Sequence, residues 1–267
     1  MARLDAKGVK TRADAPSTQP DGIHLKDMLS GTPGEVTSLK GVLFGPPKTG
    51  KTTVAASGGS TLMISFDPDG HSTKTLKGRK DIDIVQPTTL IETEKVVRAI
   101  IGGEADDYAF ITLDSVTWMF QRFGGKDILK TYVAGKDVRR AYGQAGAAAG
   151  QIIHDLSVLP NNNVIFLAHI QKEYDEDDGT VDVEQDLGEF EVSLAVTPMV
   201  WKILGGAVGF IGRTYKEQIS TTGGNTEDRY LVSFNDGSRS PAGSRYEMAG
   251  LYEQSPTLLA DLVTDLL

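Results

Sequence analysis

Residues 45–52 read Gly-Pro-Pro-Lys-Thr-Gly-Lys-Thr and match the phosphate-loop pattern G-x-x-x-x-G-K-[ST] at every fixed position. An apolar run at 42–44 precedes the loop and Thr-Val-Ala-Ala follows it, which predicts a strand, a loop and the start of a helix. Because glycines allow a tight turn, the backbone N–H groups and the helix N-terminus are expected to point at phosphate. The predicted nucleotide-binding residues are Gly45, Pro46, Pro47, Lys48, Thr49, Gly50, Lys51, Thr52 and Thr53.

Two residues of the loop, together with a distant aspartate, predict a site for Mg²⁺ and phosphate. Lys51 is expected to reach the β and γ phosphates, and Thr52 to offer its hydroxyl to the metal. The run Phe-Ile-Thr-Leu ends in Asp114, which places a carboxylate at the sheet edge where α/β proteins bind ligands. Thr52 and Asp114 are therefore the predicted metal ligands. An aspartate after a strand is also typical of a helix cap, and the sequence leaves that alternative open.

Two further apolar runs end in polar residues. Residues 62–66 lead into Asp67-Pro68-Asp69-Gly70, so two carboxylates are predicted at the same sheet edge, where one orients the attacking water. The alternative is a simple Asp-rich turn. The run 164–168 ends in His169, which is a candidate catalytic residue, although a lone histidine is more often structural.

The composition limits the class of protein. The chain has 267 residues, 39% of them hydrophobic, which is enough for one substantial core. It has no cysteine and four scattered histidines, so disulfides and thiolate zinc sites are excluded. The first residues lack the apolar core of a secretory signal, and the apolar stretch 203–212 is too short to span a bilayer. We therefore expect a cytoplasmic protein without a membrane partner.

The charge is unevenly distributed. The net charge is −9, and ten acidic residues between Glu173 and Glu191, with no basic residue among them, account for the excess. The opposite local bias lies at 122–140, which we call the basic cluster. Its basic members are Arg122, Lys126, Lys130, Lys136, Arg139 and Arg140. Local charge matters more than the sum, so the negative total does not exclude a nucleic-acid partner.

Apolar runs of strand length alternate with helical patterns, which predicts an α/β fold with a mainly parallel central sheet and helices on both faces. The predicted strands are 42–44, 62–66, 82–85, 110–113 and 164–168. Helices are predicted from a capping box at 89–92 to the glycines at 102–103, and over 137–159. After about residue 170 we expect hairpins instead of helices, at 172–186 and 210–234, and then a short C-terminal helix. The predicted divisions are a polar tail at 1–22, the main domain at 23–250 and the helical end at 251–267.

Across residues 38–248 the chain resembles the RecA-like recombinase core. The closer resemblance is to compact phage-encoded RecA-like P-loop ATPases of single-strand annealing and recombination. The motifs that carry it are GPPKTGKTT, ISFDPDG, FITLDS and VIFLAHIQKE. In the family, the strand that ends in histidine lies between the phosphate-loop strand and the FITLDS strand. The resemblance places His169 as the γ-phosphate sensor and Asp69 where the family has a catalytic glutamate. Asp is one methylene shorter than Glu, which implies slow hydrolysis or a role shared with Asp67.

The resemblance also implies cofactors and partners. It implies ATP with Mg²⁺, hydrolysis that is slow or stimulated by DNA, and single-stranded DNA bound by Lys126, Lys130, Arg139 and Arg140. Phe120, Phe123, Tyr132 and Tyr142 supply stacking surfaces, unless the basic cluster is only a solvated helix face. It further implies a homo-oligomeric ring or filament, and a catalytic arginine, Arg239 or Arg245, given to the next subunit. A single-strand DNA-binding protein is a further expected partner. If the chain is phage-encoded, its location is the host cytoplasm.

Two other classes of function stay open at this point. One is a motor or helicase-loader ATPase that acts on a protein partner. The other is a nucleotide-gated scaffold that barely turns over ATP. The acidic segment 173–191 does not fit a DNA contact, because carboxylates repel phosphates.

Overall fold

The computed structural model describes residues 37–68, 70–123, 138–170, 194–220, 225–235, 240–248 and 250–267. The chain divides into two units, Met1–Glu35 and Val36–Leu267, and every described residue lies in the second. The predicted tail at 1–22, the hairpin predicted at 172–186 and the acidic segment 173–191 lie outside the described residues.

The described part contains one sheet of nine strands. They are β1 Lys40–Gly45, β2 Thr61–Ser65, β3 Ile82–Val85, β4 Phe110–Asp114, β5 Asn163–His169, β6 Phe210–Ser220, β7 Thr226–Ser233, β8 Gly243–Ser244 and β9 Leu251–Glu253. Their order is β3-β2-β4-β5-β1-β6-β7-β9, with β8 beside β6. All pairs from β3 to β6 are parallel, whereas β7, β8 and β9 join antiparallel.

This arrangement confirms the predicted α/β class, with a mainly parallel sheet and antiparallel strands at its C-terminal side. The strand that ends in His169 lies between the phosphate-loop strand β1 and the strand β4 that ends in Asp114. The carboxyl ends of these strands therefore meet at one edge of the sheet, and this edge positions the candidate site.

Six α-helices are described: α1 Lys51–Ala55, α2 Leu90–Ala99, α3 Val116–Arg122, α4 Val138–Ser157, α5 Pro198–Ala207 and α6 Leu258–Leu266. Thr89 caps α2 as predicted, since its side chain accepts from the Glu92 N–H at 3.2 Å. A π turn continues the helix from Ile100 to the glycines, where Gly103 takes the left-handed φ of 93° that ends a helix, as predicted. The predicted C-terminal helix begins three residues later than Ser255.

The expectation that helices are absent after residue 170 is wrong, because α5 lies there. Thr197 caps this helix through its side chain, which accepts from the Val200 N–H, and proline occupies the first turn. Val200 and Leu204 are spaced by one turn and are both buried. The sequence interpretation missed α5 because it merged the second half of this helix with the start of β6 into one apolar stretch.

Hydrophobic cores cover both faces of the sheet. Alternate residues of β1 point to opposite sides, so Phe44 packs in one core and Leu43 in the other. The first core contains buried residues of α3, α4 and α5, and the second contains those of α1 and α6. The sheet is therefore buried on both faces, as a parallel sheet requires.

Candidate nucleotide site

The phosphate loop joins β1 to α1 at the carboxyl edge of the sheet, as the motif predicts. Its two glycines are favoured for different reasons, Gly45 by a close backbone neighbour and Gly50 by its left-handed backbone. A Cβ at Gly45 would lie 2.2 Å from the carbonyl oxygen of Thr214, and a Cβ at Gly50 would lie 2.1 Å from Oε1 of Gln254. Gly50 also has a φ of 82°, which favours glycine. The loop therefore forms a narrow backbone cradle, the feature that phosphate binding needs.

Lys51 lies inside this cradle and is only 8% exposed. Its ammonium donates hydrogen bonds to the carbonyl oxygens of Gly45 at 2.8 Å and Pro46 at 2.7 Å. Burial lowers the pKa of Lys51 to about 8, and the negative charge of Asp114 partly opposes this effect. A partly desolvated ammonium beside backbone N–H groups interacts strongly with phosphate oxygens.

Thr52 and Asp114 are adjacent, as predicted. The Thr52 hydroxyl donates to Oδ2 of Asp114 at 3.0 Å, and Asp114 is 6% exposed at the end of β4. Burial raises the pKa of Asp114, against the hydrogen bond from Thr52 and the charge of Lys51. A hydroxyl and a carboxylate are hard oxygen ligands, and Mg²⁺ is usually held by one or two such groups plus waters and phosphates. The residues present therefore fit a magnesium ion.

Asp67 lies at the same edge, two residues after the end of β2. Its Oδ2 accepts a hydrogen bond from the Ser72 N–H at 2.7 Å, which holds the turn. Its negative charge acts on both Asp114 and His169 and raises the pKa of each. Asp69, the predicted water-orienting carboxylate, lies outside the described residues. The carboxylate of Asp67 is thus close enough to Asp114 and His169 to affect the pKa of both.

His169 ends β5 between the phosphate loop and Asp114. Its backbone N–H donates to Oγ1 of Thr117 at 3.1 Å, and its ring packs edge-on against Trp118 with centroids 6.2 Å apart. Burial, assisted by the charge of Lys51, lowers the pKa of His169 to about 4. The imidazole is therefore neutral at neutral pH. A neutral imidazole can donate or accept a hydrogen bond at this edge, depending on its tautomer.

A family model described as an AAA domain, AAA_24, matches residues 37–246. The chain belongs to the AAA_24 family. This match and the phosphate-loop geometry support the coarser part of the prediction, a P-loop ATPase. The phage origin and the annealing family remain predictions.

One solved structure that matches this AAA_24 chain is the crystal structure of the RadB recombinase. The two sequences are 13% identical, the alignment covers 82% of this chain and 88% of the other, and the TM-score is 0.45. No curated protein matches the chain.

The AAA_24 chain is expected to lose stability in acid through His169. Its pKa in the folded protein is about 4, below the ordinary 6.5, so the unfolded chain takes up a proton first. The contribution of neutral His169 to the free energy of unfolding is therefore complete above pH 6.5 and is lost as the pH falls towards 4.

Chemical denaturation at several pH values should show that the stability of His169→Gln falls less between pH 6.5 and pH 4 than that of the wild type. His154→Gln, on the exposed side of α4, is the control. An unchanged pH profile in His169→Gln would contradict the buried, neutral imidazole.

The predicted DNA-binding residues are only partly described. Arg139 and Arg140 are exposed near the start of α4, while Lys126 and Lys130 lie outside the described residues. Arg122, another member of the basic cluster, donates to the carbonyl oxygen of Pro87 at 2.8 Å and so has a structural contact.

The aromatic residues predicted to stack on bases differ in exposure. Phe123 is fully buried and packs edge-on against Phe66, so it belongs to the core and is unsuited to stacking on DNA. Tyr142 is 47% exposed, and its ring lies 6.3 Å from that of Phe120. Tyr132 lies outside the described residues. Among the described aromatics of this segment, Tyr142 is therefore the best candidate for contact with a base.

The arginine predicted to act on a neighbouring subunit is not located. Arg239 lies outside the described residues. Arg245 donates to the carbonyl oxygen of Gly205 at 3.3 Å.

Two residues that sequence reasoning missed contact the phosphate loop. Thr214 of β6 lies with its hydroxyl oxygen 2.7 Å from that of Thr49, and the Gln254 amide donates to the Thr49 carbonyl oxygen at 2.8 Å. Neither residue belongs to a motif. The only sequence signal for Thr214 is that a polar residue lies within a segment predicted to be a strand. The sequence gives no signal for Gln254.

Two further kinds of feature, metal-binding clusters and membrane-spanning helices, are absent from the described residues. There, no group of three or more His, Asp or Glu side chains is arranged to hold a metal ion. In the same ranges, no helix is long and apolar enough to cross a membrane.

Proposed function

We propose that this AAA_24 domain binds ATP with Mg²⁺, hydrolyses it, and acts on single-stranded DNA in homologous recombination or strand annealing. The observation that carries the ATPase part is the Thr52–Asp114 hydrogen bond beside the buried ammonium of Lys51. This arrangement unites the phosphate-binding and metal-binding chemistry of a P-loop NTPase at the end of one parallel sheet. The proposed location is the cytoplasm, or the host cytoplasm for a phage protein.

Each residue has a proposed role in hydrolysis. The loop N–H groups and Lys51 bind the phosphates and stabilise the charge that develops on the transferred group. Thr52 and Asp114 hold Mg²⁺, which neutralises phosphate charge when bound. Asp67 and Asp69 share the orientation of the attacking water. His169, neutral and located between Asp114 and Lys51, senses the terminal phosphate.

The DNA part of the proposal is supported by the resemblance to RecA-like proteins and by the exposed pair Arg139 and Arg140. Exposed guanidinium groups bind phosphates and release counterions, so binding should weaken steeply with salt. In the same proposal the domain works as a ring or filament, in which Arg239 or Arg245 reaches the next subunit. A single-strand DNA-binding protein is the proposed further partner.

We expect ATP hydrolysis by the wild-type protein to be stimulated by single-stranded DNA, and Arg139→Glu/Arg140→Glu to abolish the stimulation. Charge reversal replaces two phosphate contacts by repulsion, so DNA affinity should fall by at least about tenfold at moderate salt. The measurements are phosphate release with and without an oligonucleotide, and fluorescence anisotropy at two salt concentrations. Lys77→Glu/Lys80→Glu, which reverses two exposed lysines before β3, is the matched control.

The same experiment separates the alternatives. Phosphate release that DNA neither stimulates nor inhibits, with no DNA binding, would favour an ATPase that acts on a protein partner. Nucleotide-dependent assembly without phosphate release would favour a nucleotide-gated scaffold. Equal DNA affinity in the wild-type and charge-reversed proteins would mean that Arg139 and Arg140 form only a solvated helix face.

A further inference from the structure

We infer that Gln254 is a positioning residue for the phosphates of the nucleotide and acts through Thr49. Gln254 directly follows β9, where its backbone N–H donates to the carbonyl oxygen of Tyr230 at 2.9 Å and fixes the residue to β7. Its side-chain amide donates to the carbonyl oxygens of Thr49 at 2.8 Å and Leu231 at 3.3 Å. The amide therefore bridges the sheet and the phosphate loop. This inference rests on the proposed binding of ATP.

The bond to Thr49 fixes the direction of the next N–H group. In a trans peptide, the carbonyl group of one residue and the N–H of the following residue point in opposite directions. Because Gln254 holds the Thr49 carbonyl, the N–H of Gly50 is held pointing away from Gln254. In a phosphate loop, N–H groups such as this one cradle the phosphates. A preorganised N–H donor needs no rearrangement when the phosphate arrives, which favours binding.

Thr214 holds the same loop residue from the other side. The Thr214 hydroxyl lies 2.7 Å from the Thr49 hydroxyl and 3.2 Å from the carbonyl oxygen of Phe44. The Thr49 hydroxyl in turn donates to the carbonyl oxygen of Pro46 at 2.8 Å. Thr49 is 5% exposed and Thr214 is fully buried, so these bonds are shielded from competing water. Thr49 is therefore fixed by β6 through its side chain and by Gln254 through its backbone.

The C-terminal segment also contacts the far end of α1. The Leu259 N–H donates to Oγ of Ser57 at 2.9 Å, and Ser57 donates to the Val54 carbonyl oxygen at 2.6 Å. Leu258, Leu259 and Leu262 are buried in the same core as Val54. The segment 254–259 therefore contacts the loop before α1 and the turn after it. A change at Gln254 alone leaves the contacts of α6 intact, which makes it a selective test.

We expect Gln254→Ala to weaken binding of both Mg²⁺-ATP and Mg²⁺-ADP by about three- to tenfold, the effect of one partly buried hydrogen bond to the loop. Gln254→Glu should weaken binding at least as much, because a carboxylate only accepts hydrogen bonds and repels both the Thr49 carbonyl and the phosphates. Isothermal calorimetry measures the affinities, and thermal unfolding without nucleotide checks the fold. Gln151→Ala is the matched control, since the Gln151 amide donates to Asp155 on α4, away from the loop.

Steady-state kinetics separate positioning from a merely structural role. Lost ground-state contacts raise KM and leave kcat nearly unchanged, whereas a partly unfolded sample lowers kcat at constant KM. If Gln254 and Thr214 act through the same residue, the effects of Gln254→Ala and Thr214→Val on the Kd for ATP should not be additive.

Wild-type affinity in both Gln254 variants, or a lower kcat with an unchanged KM, would overturn the inference while leaving the proposed ATPase intact. Independent, additive effects of Gln254→Ala and Thr214→Val would overturn the role of Thr49 as the shared link. A wild-type protein that does not bind ATP would overturn the proposed function and this inference together.

Discussion

Lys51→Met is expected to weaken Mg²⁺-ATP binding by about 100-fold, which corresponds to a loss of about 3 kcal/mol. Methionine keeps the aliphatic stem of this buried side chain but removes the ammonium, which donates the charged hydrogen bonds to phosphate. Because Lys51 is desolvated, solvent screening does not reduce the loss as it would at an exposed site. Calorimetric titration with Mg²⁺-ATP measures the effect.

The control for this change is Lys95→Met, which removes an exposed lysine from α2. Its affinity for ATP should equal that of the wild type. Thermal unfolding of Lys51→Met without nucleotide should show that the domain still folds. If Lys51→Met is folded and binds ATP as tightly as the wild type, the loop does not bind phosphate and the proposed function fails at its first step.

Asp114→Asn is expected to preserve most of the ATP affinity and to lower Mg²⁺-dependent turnover by about 100- to 1000-fold. The amide keeps the shape and can still accept from Thr52, but it lacks the charge that holds the metal. The measurements are phosphate release over a range of Mg²⁺ concentrations and ATP affinity with and without Mg²⁺. In the variant, added Mg²⁺ should no longer increase phosphate release.

The same substitution tests the buried charge through stability. Burial raises the pKa of Asp114, so the folded protein retains the proton more strongly and loses stability as the pH rises above 3.8. At neutral pH and without Mg²⁺, Asp114→Asn should therefore unfold at an equal or higher temperature than the wild type. Asp265→Asn, on the exposed side of α6, should change neither turnover nor stability. A strongly destabilised Asp114→Asn would indicate a structural role other than helix capping, because Ser115 caps α3 by accepting from the Trp118 N–H at 3.2 Å.

The sequence predicted which residues lie together at the candidate site because each element there has a local signature. The phosphate loop is defined by eight consecutive residues, and Asp114 and His169 each end an apolar run of strand length. The rule that parallel strands carry ligands at their carboxyl ends then brings these residues together without knowledge of any tertiary contact. The observed strand order and the Thr52–Asp114 hydrogen bond agree with this reasoning.

The supporting contacts were not predictable in the same way. Gln254 and Thr49 are 205 positions apart, and Thr214 and Thr49 are 165 positions apart. Such pairs depend on how β6, β7 and β9 add to the sheet, which local patterns do not encode. For α5 the information was local, in the cap at Thr197 and the turn spacing of Val200 and Leu204, but the glycines at 205 and 206 made the segment resemble a strand or loop.

The phosphate loop is made early in the chain, but the residue that holds its Thr49–Gly50 peptide comes near the end of the sequence. During synthesis the ribosome adds residues at about 5–20 per second, so roughly 10 to 40 seconds separate the appearance of the loop from that of Gln254. A nascent chain that lacks β9 and α6 therefore has the nucleotide-binding motif without its full support. ATP stabilises only conformations that bind it, so it would stabilise the finished domain more than its partly made precursor.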